Sequence, residues 1–209
     1  MNIIEKLNWR YATKKFDESK KISKEKIEIL KQAFNLTATS YGLQTMKMLI
    51  VSDEVIKEQL VACCYGQSQV KNASHVLIIC IQNTVNDKDV NAYYDNIIKI
   101  RNTPEAILSK YRKDLLKFVE SKTPDEQQNW CVKQAYIALG NLMTVCAVEE
   151  IDACPMEGFI PAKVDELLNL EKHNLKSVLM LPVGYRAEDD MFAGLKKVRK
   201  EIEDTVIEL

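Results

Sequence analysis

One segment of this chain, residues 124–149, restricts the possible folds more than any other. It predicts a long helix that begins at Pro124 or Asp125 and carries apolar residues on nearly all of its sides. Gln134 and Asn141 are the polar exceptions along it. A helix of this kind is buried, either inside a domain or between subunits, so the remainder of the fold must cover it.

Short apolar runs predict three buried strands, at residues 47–52, 76–82 and 175–182. The segments around them predict further helices at residues 2–8, 24–36, 55–63, 90–101, 105–119 and 161–168. Helices that outnumber widely separated strands indicate an α/β or α+β layered fold. A last run, at residues 205–207, is strand-like, and it could pair with a sheet edge of this chain or of another.

Composition and charge exclude several classes of protein. The net charge of −1, without a block of like charges, gives no electrostatic reason to expect nucleic acid or an acidic membrane surface. No apolar run reaches the length of a membrane span, and the first residues do not resemble a secretory signal, so we expect a cytoplasmic protein.

Cysteines and glycines exclude further kinds of site. The six cysteines form no C-x-x-C pair and His75 and His173 lie far from any two of them, so we expect reduced, mostly buried thiols and no zinc. The first strand is not followed by G-x-G-x-x-G, and no G-x-x-x-x-G-K-[ST] is present. Neither a Rossmann site nor a P-loop is therefore expected.

Two polar segments leave alternatives open. Residues 10–16 are basic and could be a solvated connector or, through Arg10 and Lys14, a site for an anion. Residues 154–159 (Cys-Pro-Met-Glu-Gly-Phe) could be an ordinary loop that leaves a helix. Alternatively, the proline and the glycine could aim backbone N–H groups at a flat, rigid ligand.

Taken in order, these segments resemble the nitroreductase family. Residues 10–17 (Arg-Tyr-Ala-Thr-Lys-Lys-Phe-Asp) resemble its Arg-x-Ser-x-Arg/Lys-x-Phe opening, and residues 39–44 resemble its Ser-Ser-x-Asn-x-Gln loop. Further matches lie at residues 133–136, 140–142, 154–159, 181–186 and 197–199. The match runs from about residue 2 to residue 209 and is most similar to the oxygen-insensitive NAD(P)H nitroreductase and dihydropteridine reductase branch.

The resemblance implies a single domain over residues 1–209 with an α+β fold, in which helices flank a central, mostly antiparallel sheet. It implies an interlocked homodimer that exchanges its C-terminal strand and has two FMN sites at the interface. NADH or NADPH would be the co-substrate in a ping-pong reaction. The acceptors would be nitroaromatics, quinones or quinonoid dihydropterin. Because FMN N5 carries the chemistry, no catalytic side chain is implied.

The resemblance also implies a set of site residues. Arg10, Lys197 and Arg199 would hold the FMN phosphate, and Lys14 would stabilise negative charge near N1 and O2 of the ring. The loop at residues 38–42 would come from the partner subunit. The implied cofactor contacts are Arg10, Tyr11, Ala12, Lys14, Ala38, Thr39, Ser40, Gly42, Gln67, Gln69, Gln134, Pro155, Met156, Glu157, Gly158, Lys197 and Arg199.

For the ring itself, the resemblance implies that the N–H groups of Glu157 and Gly158 point toward N5 and O4. The candidates to line the substrate face are Lys14, Tyr41, Tyr65 and Phe118, and core packing is the alternative for each aromatic residue. Residues 105–123 are expected to form a mobile cover over the site.

The chain departs from the family pattern at Ala12, Gly42, Gly66 and Gln69. These positions leave the ring environment less cationic, which we expect to affect redox potential and pyridine-nucleotide preference. Two other classes of function remain open. One is a flavin carrier or sensor without efficient turnover, and the other is a helical interaction protein with solvated basic faces.

Overall fold

The fold was described from a computed structural model, which covers residues 2–209. Its helices are α1 (Ile3–Trp9), α2 (Lys24–Asn35), α3 (Glu54–Cys63), α4 (Gln69–Asn72), α5 (Asp87–Arg101), α6 (Glu105–Glu120), α7 (Pro124–Val148) and α8 (Pro161–Leu167). Its strands are β1 (Met46–Val51), β2 (His75–Gln82), β3 (Asp152–Ala153) and β4 (Leu175–Gly184). The three strands and the helices expected from the sequence are confirmed, with ends shifted by a few residues.

The four strands form one antiparallel sheet in the order β1-β2-β4-β3. Alternate residues of β2 enter two different apolar clusters: Leu77 and Ile79 face one side of the sheet, and Val76 and Ile78 face the other. Helices α2, α5, α6 and α7 contribute to the first cluster, and α3, α4 and α8 contribute to the second. The central strands are therefore buried on both faces, which explains why they read as continuous apolar runs.

Helix α7 is the longest helix in the described range, at 25 residues. It begins with a capping box, in which Thr123 accepts from the Glu126 N–H while the Glu126 carboxylate accepts from the Thr123 N–H. It packs against α2, β2 and β4. Although no continuous apolar run predicts a membrane span, this helix is long and apolar enough to cross a bilayer by length and composition. The core helix of a folded domain meets the same criteria, and its contacts place α7 among such helices.

The structure differs from the sequence-based expectations at two short segments. Strand β3 has only two residues, and the sequence does not predict it. It is defined by its pairing with β4 and contains no apolar run. Residues 205–207 form no strand within the described chain, where a 3₁₀ turn at Ile202–Asp204 precedes them. A strand needs a neighbouring edge, and within the described residues the tail pairs with neither edge of the sheet.

The six cysteines are all buried and unpaired, as expected for reduced thiols. Helix α6 packs against α5 and buries Leu108, Leu115 and Val119. Arg112 joins α6 to α5 through Asp95, and it also pairs with Glu105 of its own helix. The expected mobility of residues 105–123 stays a prediction.

Candidate functional site

The basic segment near the N-terminus lies along the free edge of β3. Ala12 forms a parallel bridge with Ala153, and the Thr13 N–H donates to the Ala153 carbonyl over 3.3 Å. Thr13 itself is fully buried. This pairing brings residues 10–14 beside the segment that follows β3, so two motifs more than 140 positions apart in the chain share one surface.

Asp190 fixes the conformation of the basic segment. Its carboxylate accepts from the Tyr11 hydroxyl at 2.8 Å and from the Lys14 and Lys15 N–H groups at 3.0 and 3.1 Å. It also accepts from the Phe192 N–H at 3.1 Å. Burial alone would raise the pKa of Asp190, but these donors together hold it below its ordinary value. The negative charge therefore persists at neutral pH and keeps residues 11–15 in place.

A basic cleft opens where the tail returns to this segment. Its volume is about 320 Å³, and it is lined by Arg10, Tyr11, Ala12, Lys14, Phe192, Leu195, Lys196, Lys197 and Arg199. The Lys197 ammonium donates to the Arg10 carbonyl, which ties the tail to the N-terminal segment. None of Arg10, Lys197 and Arg199 makes an ion pair with a carboxylate anywhere in residues 2–209.

The electrostatics of the cleft reflect these uncompensated charges. The pKa of Lys197 is lowered by burial and by the nearby Arg10, Arg199 and Arg186 guanidinium groups. Burial and the Arg199 charge likewise lower the pKa of Arg10. Mutually repelling cations in a partly desolvated cleft form a favourable site for an anion that accepts several hydrogen bonds.

The segment from Cys154 to Gly158 meets a residue of the cleft, Lys14, at its first position. Met156 exchanges two backbone hydrogen bonds with Met180 of β4, at 2.8 and 3.0 Å, so the segment is anchored on the sheet. The Lys14 ammonium lies 3.7 Å from the Cys154 sulfur. Burial raises the pKa of the Cys154 thiol, although Lys14 opposes that effect, so the group is a neutral neighbour of the cation. The N–H groups of Glu157 and Gly158 donate to no acceptor within residues 2–209.

Gln67 and Gln69 hold this loop from its other side. The Gln67 side-chain amide donates to the Gly158 carbonyl at 2.7 Å and to the Cys64 carbonyl at 3.1 Å, and it accepts from Gln69 at 2.9 Å. Both glutamines therefore lie at the predicted site, where their side chains bind the protein itself. Tyr65, in the same loop, is 68% exposed and has a positive φ of 54°. Its role as a substrate contact, like the cofactor contacts of the glutamines, stays a prediction.

A second group of predicted residues lies around the start of α7. The side-chain oxygen of Gln134 accepts from the Ser40 N–H at 2.8 Å, and the side-chain amide of Gln134 donates to the backbone carbonyl of Trp130 at 3.2 Å. The Tyr41 ring lies 5.1 Å from the Phe118 ring and 6.5 Å from the Trp130 ring. Gln134 thus fixes the loop that contains Ala38, Thr39, Ser40 and Gly42.

No hydrogen bond, ion pair or ring contact within the described chain joins this second group to the basic cleft. One chain therefore presents two separate parts of the predicted site. This separation agrees with the expectation that residues 38–42 serve the partner's cofactor, an expectation that a single chain does not test.

The sequence assigns no role to three residues that the structure places at these groups: Trp130, Tyr136 and Asp190. Trp130 is one position of the helix predicted over residues 124–149, and its contacts with Tyr41 and Phe118 depend on tertiary packing. Asp190 lies in a run of acidic residues, and nothing local distinguishes it from Asp189. Tyr136 lies on the exposed side of α7, where its hydroxyl donates to the Glu157 carboxylate.

Comparisons with known proteins identify the family of the chain. The model of the nitroreductase family matches residues 7–185. A Staphylococcus haemolyticus protein whose name describes it as a candidate NAD(P)H nitroreductase is 34% identical over 223 residues, covering 98% of this chain and 95% of that protein. A Staphylococcus aureus protein with a name of the same kind is 32% identical and covers 98% and 94%.

Solved structures share the fold. A nitroreductase-type structure from Bacillus subtilis superposes with a TM-score of 0.88 at 21% identity and covers 99% of this chain and 98% of its own. A structure of the same kind from Exiguobacterium sibiricum, solved in complex with FMN, has a TM-score of 0.87 at 21% identity and covers 100% and 98%. The α+β fold expected from the sequence is confirmed.

Proposed function

Since the chain belongs to the nitroreductase family, we propose that it is an FMN-dependent oxidoreductase that uses NADH or NADPH. An FMN-bound neighbour and relatives with NAD(P)H nitroreductase names support this cofactor and this co-substrate. Its acceptors are flat and electron-poor: nitroaromatics, quinones or quinonoid dihydropterin. The six free, buried cysteines suit a reducing compartment such as the cytoplasm.

The observation that carries the proposal is the group of cations in the basic cleft. Arg10, Lys197 and Arg199 converge there without carboxylate partners, and their mutual repulsion costs stability in the absence of an anion. A phosphate would accept hydrogen bonds from all three and would offset that repulsion. If these residues formed only a solvated basic face, Lys197 would have no need to bind the Arg10 carbonyl.

The neighbouring segment fits the ring of FMN. Two adjacent N–H donors, those of Glu157 and Gly158, have no acceptor in the described chain and lie in a backbone segment anchored on β4. Lys14, beside Cys154, supplies a cation here and would stabilise negative charge on a reduced ring. FMN, when bound, would accept a hydride from the nicotinamide and pass it to the second substrate. The protein would bind FMN, orient its ring and polarise it.

The complete site needs two chains in this proposal. Ala38, Thr39, Ser40 and Gly42, fixed by Gln134, would reach across to the partner's cofactor, and Tyr41 and Phe118 would line the substrate face there. The tail, which has exposed apolar residues and no strand of its own, would pair with the partner's sheet. The two separate parts of the site and the family support a homodimer, and the unpaired tail supports an exchanged strand.

Steady-state kinetics after reconstitution with FMN test the proposal. Initial rates would be measured with NADH and with NADPH, against a quinone and a nitroaromatic at several concentrations. A ping-pong enzyme gives parallel lines in double-reciprocal plots, because the two substrates occupy the same place in turn. Intersecting lines would contradict the ping-pong scheme, and a protein that retains no FMN would contradict the whole proposal.

A further inference from the structure

A single side-chain hydrogen bond within residues 2–209 joins α7 to the segment at residues 154–158. The Tyr136 hydroxyl donates to the Glu157 carboxylate over 2.6 Å. This hydrogen bond raises the pKa of Tyr136, so the phenol keeps its proton at neutral pH. Tyr136 is 44% exposed and contributes nothing to the apolar clusters, so core packing does not account for its position.

The other residues of the segment are held by different groups. Met156 is held by the backbone of Met180, and the Gly158 carbonyl is held by Gln67. Glu157 lies between these two anchors, and within residues 2–209 its carboxylate has Tyr136 as its sole hydrogen-bond donor. The backbone N–H of Glu157 remains available to a ligand, as does that of Gly158. Tyr136 is therefore the contact that restrains the middle of the segment.

Building on the proposed function, we propose that Tyr136 is a positioning residue that orients the Glu157 and Gly158 N–H groups toward the flavin through the Glu157 carboxylate. Both N–H groups flank the α-carbon of Glu157, so rotation of its backbone turns them. A side chain tied to α7 restricts that rotation. Donors that are oriented in advance stabilise developing charge without reorganising during the reaction.

The same geometry assigns a role to the carboxylate. Glu157 looks like a general acid by residue type, but its carboxylate is occupied as an acceptor by the phenol of Tyr136. The Glu157 carboxylate therefore connects the backbone of residues 154–158 to α7. Tyr136 thus acts through Glu157 and need not touch substrate or cofactor itself.

The test is the Tyr136→Phe variant, which removes the hydroxyl and keeps the ring. Tyr94→Phe is the matched control, since Tyr94 lies on α5 and its hydroxyl makes no hydrogen bond in the described chain. Hydrogen exchange of the peptide containing residues 155–159 would be followed by mass spectrometry in protein without FMN, at the Met156 and Phe159 amides, which donate to the Met180 and Glu157 carbonyls. We expect exchange in Tyr136→Phe to be faster by about threefold or more, and unchanged in the control.

The reductive half-reaction gives the second readout. The bleaching of bound flavin by NAD(P)H would be timed in an anaerobic stopped-flow instrument. We expect Tyr136→Phe to slow it by about threefold to tenfold, because the donors are misoriented and not removed. The dissociation constant for FMN should stay within about twofold, since the cations that hold the phosphate are intact.

A double-mutant cycle with Glu157→Ala separates positioning from a general structural effect. If Tyr136 acts through the carboxylate, Tyr136→Phe has no further effect in the Glu157→Ala background. Glu157→Gln keeps an acceptor oxygen and should retain most of the wild-type rate. Additive effects, or wild-type exchange and bleaching in Tyr136→Phe, would overturn the inference and leave the proposed function standing. Wild-type protein that binds no FMN would overturn the proposed function first.

Discussion

The sharpest consequence of the basic cleft concerns the pH dependence of FMN binding. The pKa of Lys197 is lowered by burial and by three nearby guanidinium groups, so the free protein loses this charge at a lower pH than an ordinary lysine does. A bound phosphate would raise that pKa again. Binding is therefore favoured below the lowered pKa of the free protein, and affinity falls as the pH rises through it.

The size of the effect follows from one charge-assisted hydrogen bond. Such a bond contributes about 1.5–3 kcal/mol where it is desolvated, and about 1–2 kcal/mol is reasonable for a partly buried lysine. Loss of the Lys197 charge should then weaken FMN binding by about fivefold to thirtyfold. Arg10 stays charged over the whole range, because arginine is not deprotonated in proteins. The pKa of Tyr11 is raised by burial and by Asp190, so its phenol remains neutral as well.

The assay is a titration of FMN fluorescence between pH 7 and pH 10 in wild-type protein, Lys197→Arg and Lys197→Met. Wild type should lose affinity as the pH rises, Lys197→Arg should keep it, and Lys197→Met should be weak at every pH. Equal pH profiles for wild type and Lys197→Arg would refute the reasoning, since the titrating group would then lie elsewhere.

Three further predictions concern single residues. Arg199→Ala should weaken FMN retention by about tenfold in the same fluorescence assay, and unchanged affinity would remove Arg199 from the site. Gln134→Leu should lower the free energy of unfolding by urea by about 1–2 kcal/mol, because the Ser40 N–H loses its acceptor; a wild-type value would mean that the loop is held otherwise. Asp190→Ala should lower the free energy of unfolding by about 3 kcal/mol at pH 7, because the buried carboxylate accepts several hydrogen bonds. The pKa of Asp190 is lowered in the folded state, so this stabilisation is present above the unfolded-state pKa and disappears as the pH falls through the folded-state pKa. The control is Asp189→Asn, at an exposed carboxylate. Equal acid stability in the two variants would contradict this prediction.

The sequence predicted those parts of the fold that local patterns specify. The all-round apolar helix became α7, and the apolar runs became β1, β2 and β4, because burial on both faces leaves a continuous hydrophobic signature. The strand order was not predictable, since it depends on contacts between distant segments. The two-residue strand β3 is defined by its pairing with β4 and has no apolar pattern in the sequence. The tail at residues 205–207 has a strand-like pattern, but no edge within the described chain receives it.

The candidate site shows the same division. Motifs near residues 10–16, 154–159 and 197–199 were identified by resemblance. The structure brings the first and the third together at one cleft and places Cys154 of the second against Lys14. The contacts that hold them were not visible in the sequence. Asp190 is one of several adjacent acidic residues, and Tyr136 is one exposed position on a helix. Each gains its role from a partner far away in the chain, and one sequence alone does not record such pairs.

The central claim is that this chain holds FMN and passes electrons from NAD(P)H through it. Its most direct test is an anaerobic titration of the FMN-reconstituted protein with NADH or NADPH, followed by absorbance of the bound flavin. The account predicts a yellow protein that bleaches with about one equivalent of reductant and recovers its colour when a quinone is added. A yellow protein that neither nucleotide bleaches would be a flavin carrier or sensor, and a protein that remains colourless after reconstitution would contradict the account at its base.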